Sequence, residues 1–183
     1  MIGPEATAAN GFHDITSEIV VRGVGATDPN WSQMGTSALY AYEFALDDQC
    51  WMAFHIPHDY RLGTGIYLHA HWTSNGTNVN IVKWTWTYAY SKGHNQAVFP
   101  ITATTEVSAQ EAAQGTAWRH MITETVIQTN TNFEPDGIIY CNIARKTNGG
   151  TDNTDKIFLL TADVHYQSTG LPTLNRSPNF YAS

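Results

Sequence analysis

Two imidazoles two residues apart, His69 and His71 in the run GTGIYLHAHW, are the side chains best suited to chemistry in this chain. Successive side chains of a strand point oppositely, so Ile66, Leu68, Ala70 and Trp72 share one face while Tyr67, His69 and His71 share the other. Neutral ring nitrogens on one polar face could begin a metal site, but a divalent ion needs three or four protein ligands at fixed geometry. A third histidine on a later strand could be His120 or His165. Glu43, Asp47, Asp48, Glu124 and Asp163 all lie on or beside apparent strands, where a pair of carboxylates could hydrolyse a glycoside. Acidic residues on the outer faces of strands are, however, ordinarily solvated. Nucleophilic catalysis finds no Gly-x-Ser-x-Gly elbow and no cysteine with an adjacent basic partner.

Gly63, six residues before His69, completes the spacing of the first half of a cupin metal motif. The resemblance ends there, because Trp72, Thr73, Ser74, Asn75 and Gly76 follow where a carboxylate ligand should stand. Neither His120 nor His165 has the expected glycine- and proline-marked context. A second arrangement sets the His-x-His strand near the three-fold axis of a trimer, where three chains would supply six imidazoles to an octahedral ion. The plainer expectation is that His69 and His71 hydrogen-bond backbone or neighbouring side chains at a subunit contact. His55 and His58 straddle Pro57 and read as a strand residue and a loop residue, not as paired ligands. No catalytic, cofactor-binding or metal-ligating residue is therefore assigned, and no cofactor is expected. Among the tryptophans, Trp72, Trp84 and Trp86 fall on core faces, which leaves Trp31, Trp51 and Trp118 freer to serve as a sugar platform.

The elements that must position these residues read as short strands. Val82, Trp84, Trp86, Tyr88 and Tyr90 form an apolar ridge, and the Asn75-Gly76 dipeptide supplies the positive φ of a tight connection, so 63–91 predicts an antiparallel hairpin. A second hairpin is expected over 38–56, with Ala38, Tyr40, Tyr42, Phe44 and Leu46 inward, a turn at Asp47-Asp48-Gln49, and Cys50, Met52, Phe54 and Ile56 returning inward. Further strands are expected over 17–24, 97–107, 117–128, 137–145 and 156–167, the last with Phe158, Leu160, Ala162, Val164 and Tyr166 on one face. Residues 106–114 could instead form a turn or two of helix. About nine short strands with hardly any helix predict an all-β chain: a single antiparallel jelly-roll-like β-sandwich over 17–168. Extended N- and C-terminal arms are expected over 1–16 and 169–183, the latter laid on a neighbouring subunit through Phe180 and Tyr181.

A chain of 183 residues can bury roughly 70% of its extended surface without a staple, and Cys50 and Cys141 read as two reduced, buried thiols. The net charge is −7, and the nine basic residues are scattered, so nucleic-acid binding, which rests on clustered positive charge, is disfavoured. No apolar run approaches the roughly 20 residues that span a bilayer, and the N-terminus lacks the pattern of a signal peptide. A soluble protein not exported by that route is expected. Only 14% of residues are charged, which suggests that a partner covers part of the surface.

The runs IPHDYRLGTGIYLHAHW, VKWTWTYAYSKG and IFLLTADVHYQSTG resemble a group of small virion structural proteins of tailed bacteriophages, of head-decoration, head-fibre or tail-fibre type. The similarity extends from about residue 40 to 170. It implies a phage particle component, a trimeric jelly roll, and transfers no catalytic residue. The expectation that follows is a non-enzymatic decoration (cement) protein, homotrimeric, on the outer capsid surface and bound to the major capsid protein, with no nucleic acid and no membrane. The alternatives are a receptor- or carbohydrate-binding head of a tail fibre or tailspike and, third, a cupin-type metal enzyme.

Overall fold

Aromatic and β-branched residues at alternate positions suit a pleated surface buried on one side, and ten strands form in the computed structural model, which describes residues 11–21, 27–127 and 132–181. They are β1 Phe12–Thr16, β2 Asn30–Gln33, β3 Tyr40–Phe44, β4 Gln49–His55, β5 Ile66–Ser74, β6 Ile81–Ser91, β7 Thr105–Ala112, β8 Met121–Ile127, β9 Ile138–Lys146 and β10 Ile157–Gln167. All pairings between them are antiparallel. One sheet runs β2-β3-β10-β5-β8, with β1 also pairing β10, and the other runs β4-β9-β6-β7. From β3 onward the chain changes sheet at every connection except the one from β6 to β7. The strand order β3-β10-β5-β8 facing β4-β9-β6-β7 is that of a jelly roll, two interleaved Greek keys.

The expected core faces meet between the sheets. Cys50, Met52, Phe54 and Ile56 from one sheet are buried against Ile66, Leu68, Ala70 and Trp72 from the other, with Val82, Trp84 and Trp86 beside them. Each buried tryptophan removes about 200 Å² from water, on the order of 5 kcal/mol of gross stabilisation. Cys50 and Cys141 are free and buried, and burial pushes both thiols far up, out of the range of a nucleophile.

Both expected hairpins are corrected by the topology. β3 and β4 lie in different sheets, as do β5 and β6, so the turns at 45–48 and 75–80 carry the chain across the sandwich. A period of two says which face is buried but not which edge a strand pairs, and polar turn residues serve a sandwich corner as well as a hairpin. Gly76 does not have a positive φ; it is needed because a Cβ there would meet the Asp155 carboxylate, which accepts the Asn78 N–H at 2.9 Å. The positive φ at the first corner belongs to Asp47, at 72°.

Four local expectations also change. Over the described part of 17–24 there is only a bridge from Val20 to Trp51; the first strand is β1, built from the end of the expected arm, while 1–10 and 22–24 lie outside the described residues. Trp31 lies in the edge strand β2, Tyr40 is exposed at the start of β3, and Leu46 is exposed because β3 ends at Phe44, where the Asp48 carboxylate accepts the Ala45 N–H. Residues 106–112 are strand, not helix, since they pair with β6. A bulge between Leu159 and Thr161 shifts the phase of β10, so that Ile157 and Leu159 join Ala162, Val164 and Tyr166 in the core while Leu160 is exposed.

The C-terminal tail folds back on its own domain instead of extending to a neighbour. The Thr169 and Thr173 N–H groups donate to the Asp59 and His58 carbonyls at 2.7 and 3.0 Å, and Tyr181 Oη donates to the Tyr60 carbonyl at 2.5 Å. The Phe180 ring lies edge-on to His58 and His94 and is 4% exposed. An aromatic pair offered to water finds its nearest cover in the loop that precedes β5.

Candidate functional site: a histidine and carboxylate cluster on the outer face of a sheet

The outward face of β5 carries His69 and His71, as the alternation requires, because Leu68, Ala70 and Trp72 face the core. Register then decides their company. Asp163 of β10 and Glu124 of β8 both stand directly opposite His69, one on each side, so three adjacent strands place carboxylate, imidazole and carboxylate in one row. Directly opposed residues of antiparallel strands have Cβ atoms about 5 Å apart, close enough for these side chains to touch. In the neighbouring row, β1 sets Asp14 opposite His165 of β10.

His69 Nε2 lies 2.5 Å from Glu124 Oε2, and His69 Nδ1 lies 3.4 Å from Asp163 Oδ1. His71 Nε2 lies 3.0 Å from Asp163 Oδ2, and His71 Nδ1 is 2.9 Å from His120 Nε2. His165 packs its ring 3.7 Å from that of His69 and pairs with Asp14 at 2.5 Å. His69 is 4% exposed and the Asp163 side chain 7%, although both are on an outer face, because the ring of His165 lies over His69. A surface depression of about 310 Å³, lined by Phe12, Tyr67, Glu124 and His165, opens beside the cluster.

Within the described residues, His69 and His71 therefore contact carboxylates and His120 of their own chain. His120 and His165, the two third-histidine candidates, both join the cluster. Two of the carboxylates named from the sequence, Glu124 and Asp163, converge here; Glu43 and Asp47 instead pair with Lys156 and Lys146. Asp14, on β1, adds a carboxylate that no strand-face pattern in the sequence marks. The signal was present as two alternations, His-Ala-His on β5 and Asp-Val-His on β10, but only the pairing of those strands joins them.

A second cluster gathers His55, His58 and His94 around Asp136, at 3.2, 3.0 and 2.7 Å. His55 and His58, read as unrelated, thus share one carboxylate oxygen. Burial alone would push the Asp136 carboxyl up, but the His94 hydrogen bond and the charges of His58, His55 and His94 outweigh it and hold it below its ordinary 3.8. This cluster braces the tail, since His58 Nδ1 also meets Thr173 Oγ1 at 2.5 Å.

The freer tryptophans separate. Trp31 stacks on Tyr40 at 6.3 Å on the edge of the first sheet, and Trp118 leans on Phe158. Trp51 stands on the outer face of the second sheet, where it lines an open groove of about 500 Å³ with Tyr140, Ala89, Phe99 and Ile101.

No protein-family model matches the chain, and no curated protein matches it. Solved structures that align with it include the following three, at low similarity. Dimeric latent PorU from Porphyromonas gingivalis aligns at a TM-score of 0.38 and 10% identity over 89% of this chain and 14% of that one. TmCBM61 in complex with β-1,4-galactotriose aligns at 0.31 and 12% over 85% and 88%. The structure of infectious bursal disease virus, Gt strain, aligns at 0.37 and 13% over 94% and 38%. The chain thus spans about one seventh of the PorU chain and under two fifths of the viral one. The jelly-roll assignment stands on strand order, independently of these likenesses.

Proposed function

We propose that this chain is a non-enzymatic structural protein of a tailed-phage virion, a trimeric decoration (cement) protein on the outer surface of the head that binds the major capsid protein. The observation that carries the reading is an apolar patch on the outer face of β4-β9-β6-β7. Tyr140 is 52% exposed at its centre between Ala53 and Ala89, with Trp51 beside it, and Phe99 and exposed Ile101 rise at the rim. Homomeric interfaces are more apolar than ordinary surface, so the occupant of this face is a neighbouring copy of the chain. The sparse charge and the resemblance of the three sequence runs to phage virion proteins support the same reading. A trimer then multiplies modest contacts with the shell without any new one. Quantitative mass spectrometry of purified particles tests it: hundreds of copies per particle are expected, and a few tens or none would count against shell decoration.

The second reading, a carbohydrate-binding head of a tail fibre, is favoured by one feature, the Trp31 ring stacked on Tyr40 and edge-on to Tyr42 at 4.8 Å. A preformed aromatic plate is the surface on which a sugar face packs. That reading predicts low copy number and glycan binding abolished by Trp31→Ala.

A further inference from the structure

Two buried acceptors face each other in the outer-face cluster. His69 Nε2 lies 2.5 Å from Glu124 Oε2, a carboxylate that accepts, so in the neutral ring the proton sits on Nε2 and Nδ1 presents a lone pair. That lone pair points at Asp163 Oδ1, 3.4 Å away. Neither His69 Nδ1 nor Asp163 Oδ1 has a hydrogen-bond partner, and both atoms are fully enclosed. Two unpaired acceptors buried at that separation repel and are costly unless a cation lies between them, and 3.4 Å is longer than a charge-assisted hydrogen bond through a proton, which leaves room for a metal ion.

We propose that His69, His71 and Asp163 bind one divalent transition-metal ion of the zinc class per chain. One ligand atom from each of the three lies within 4.8 Å of the other two. Bonds of about 2.1 Å in a tetrahedral site put neighbouring ligand atoms about 3.4 Å apart, which is the His69 Nδ1 to Asp163 Oδ1 separation. His71 Nε2 is 3.0 Å from the other oxygen of the same carboxylate, so Asp163 faces both imidazoles. Each imidazole is held from behind: Glu124 takes the far nitrogen of His69, and His120 meets the far nitrogen of His71 at 2.9 Å. A carboxylate on the far nitrogen fixes the ring and raises its basicity, which is how metal-binding histidines are normally oriented. His71, with 15% of its side chain exposed, is the ligand through which solvent reaches the site. All three ligands come from one chain and two paired strands, so the site does not depend on a three-fold axis, nor on the virion reading. Its position on the outside of a sheet, away from the interior between the sheets, suits an ion that ties β5 to β10.

Titrating the full chain, stripped of metal by chelation, with Co²⁺ at neutral pH tests the proposal. The expected result is visible d–d absorption that saturates at one ion per chain and is displaced by Zn²⁺, together with a rise in unfolding temperature with Zn²⁺ concentration. His71→Gln and Asp163→Asn are expected to weaken binding at least tenfold, Glu124→Gln by about 10- to 100-fold, and His165→Gln by less than twofold. Absence of stoichiometric binding, unchanged binding in His71→Gln or Asp163→Asn, or its loss in His165→Gln would overturn the assignment. Should a variant fail to fold, ring-proton NMR shifts on adding Zn²⁺ to the unmodified chain decide the point. His69 and His71 are expected to move most and His165, which only touches His69, less; larger shifts on His165 than on His69 and His71 contradict the ligand set.

Discussion

Replacing Phe180 by alanine asks whether the tail is part of the domain. The ring is almost fully buried against His58 and His94, so the substitution removes the transfer energy of a large apolar side chain. A phenylalanine deep in a core costs about 3 to 5 kcal/mol when cut to alanine, but the void here lies under a tail that can settle, so about 2 to 3 kcal/mol is expected. The loss cannot exceed the free energy that docks the tail, because a detached tail transmits nothing further. That docking also draws on the Thr169, Thr173 and Tyr181 hydrogen bonds, each worth about 1 kcal/mol. With a urea slope of about 2 kcal/mol/M, the unfolding midpoint should fall by about 1 M with the slope unchanged, and the Thr169 and Thr173 amides should lose exchange protection first. An unmoved midpoint with both amides still protected would refute the claim that Phe180 anchors the tail.

Gly76→Ala should lower stability by about 1 to 3 kcal/mol, read by thermal unfolding, because the new methyl displaces the Asp155 carboxylate that caps Asn78; a neutral substitution would contradict the close approach. Asp136→Asn should destabilise at neutral pH, and the gap between it and the unmodified chain should close as the medium is acidified. The sign follows from a carboxyl held below its ordinary 3.8: its stabilisation is present above about pH 4 and is lost as pH falls through the lowered value. Asparagine tolerates the positive φ of 61° at this position, so the backbone contributes little, and a gap independent of pH would sink the ionic explanation. Tyr140→Glu should shift sedimentation from the proposed trimer to monomer and lower the unfolding temperature only by the stabilisation that assembly contributes, since the ring is half exposed and a charge there cannot be buried against an apolar patch. An unaltered trimer would move the interface elsewhere.

What could be read from the sequence was the buried face of most strands. The alternations at Cys50 to Ile56, Ile66 to Trp72 and Val82 to Trp86 each state a side, and the structure keeps every one of those sides inward. Pairing was not legible, because a period of two carries no information about the neighbour across an edge. This is why two sandwich corners read as hairpins, and why Leu160, displaced by a bulge that no residue type announces, read as core. The site was hidden for the same reason. His69 and His71 were visible, yet the carboxylate sought within a few residues of them comes from Asp163, across the β5 and β10 pairing, and from Glu124 on the other side. Had the jelly-roll strand order been imposed on the assigned strands, β10 would have fallen beside β5 and Asp-Val-His beside His-Ala-His. The tail was misread because exposed aromatics in a segment without period say that cover is needed, not whether the cover is the same chain.

Cryo-electron imaging of intact particles is the most direct measurement of the central claim. The account predicts jelly-roll density in threes over the outside of the head, with the β4-β9-β6-β7 faces turned toward one another within each trimer. Density for this chain confined to the tail tip, or single copies with that face open to solvent, would contradict it.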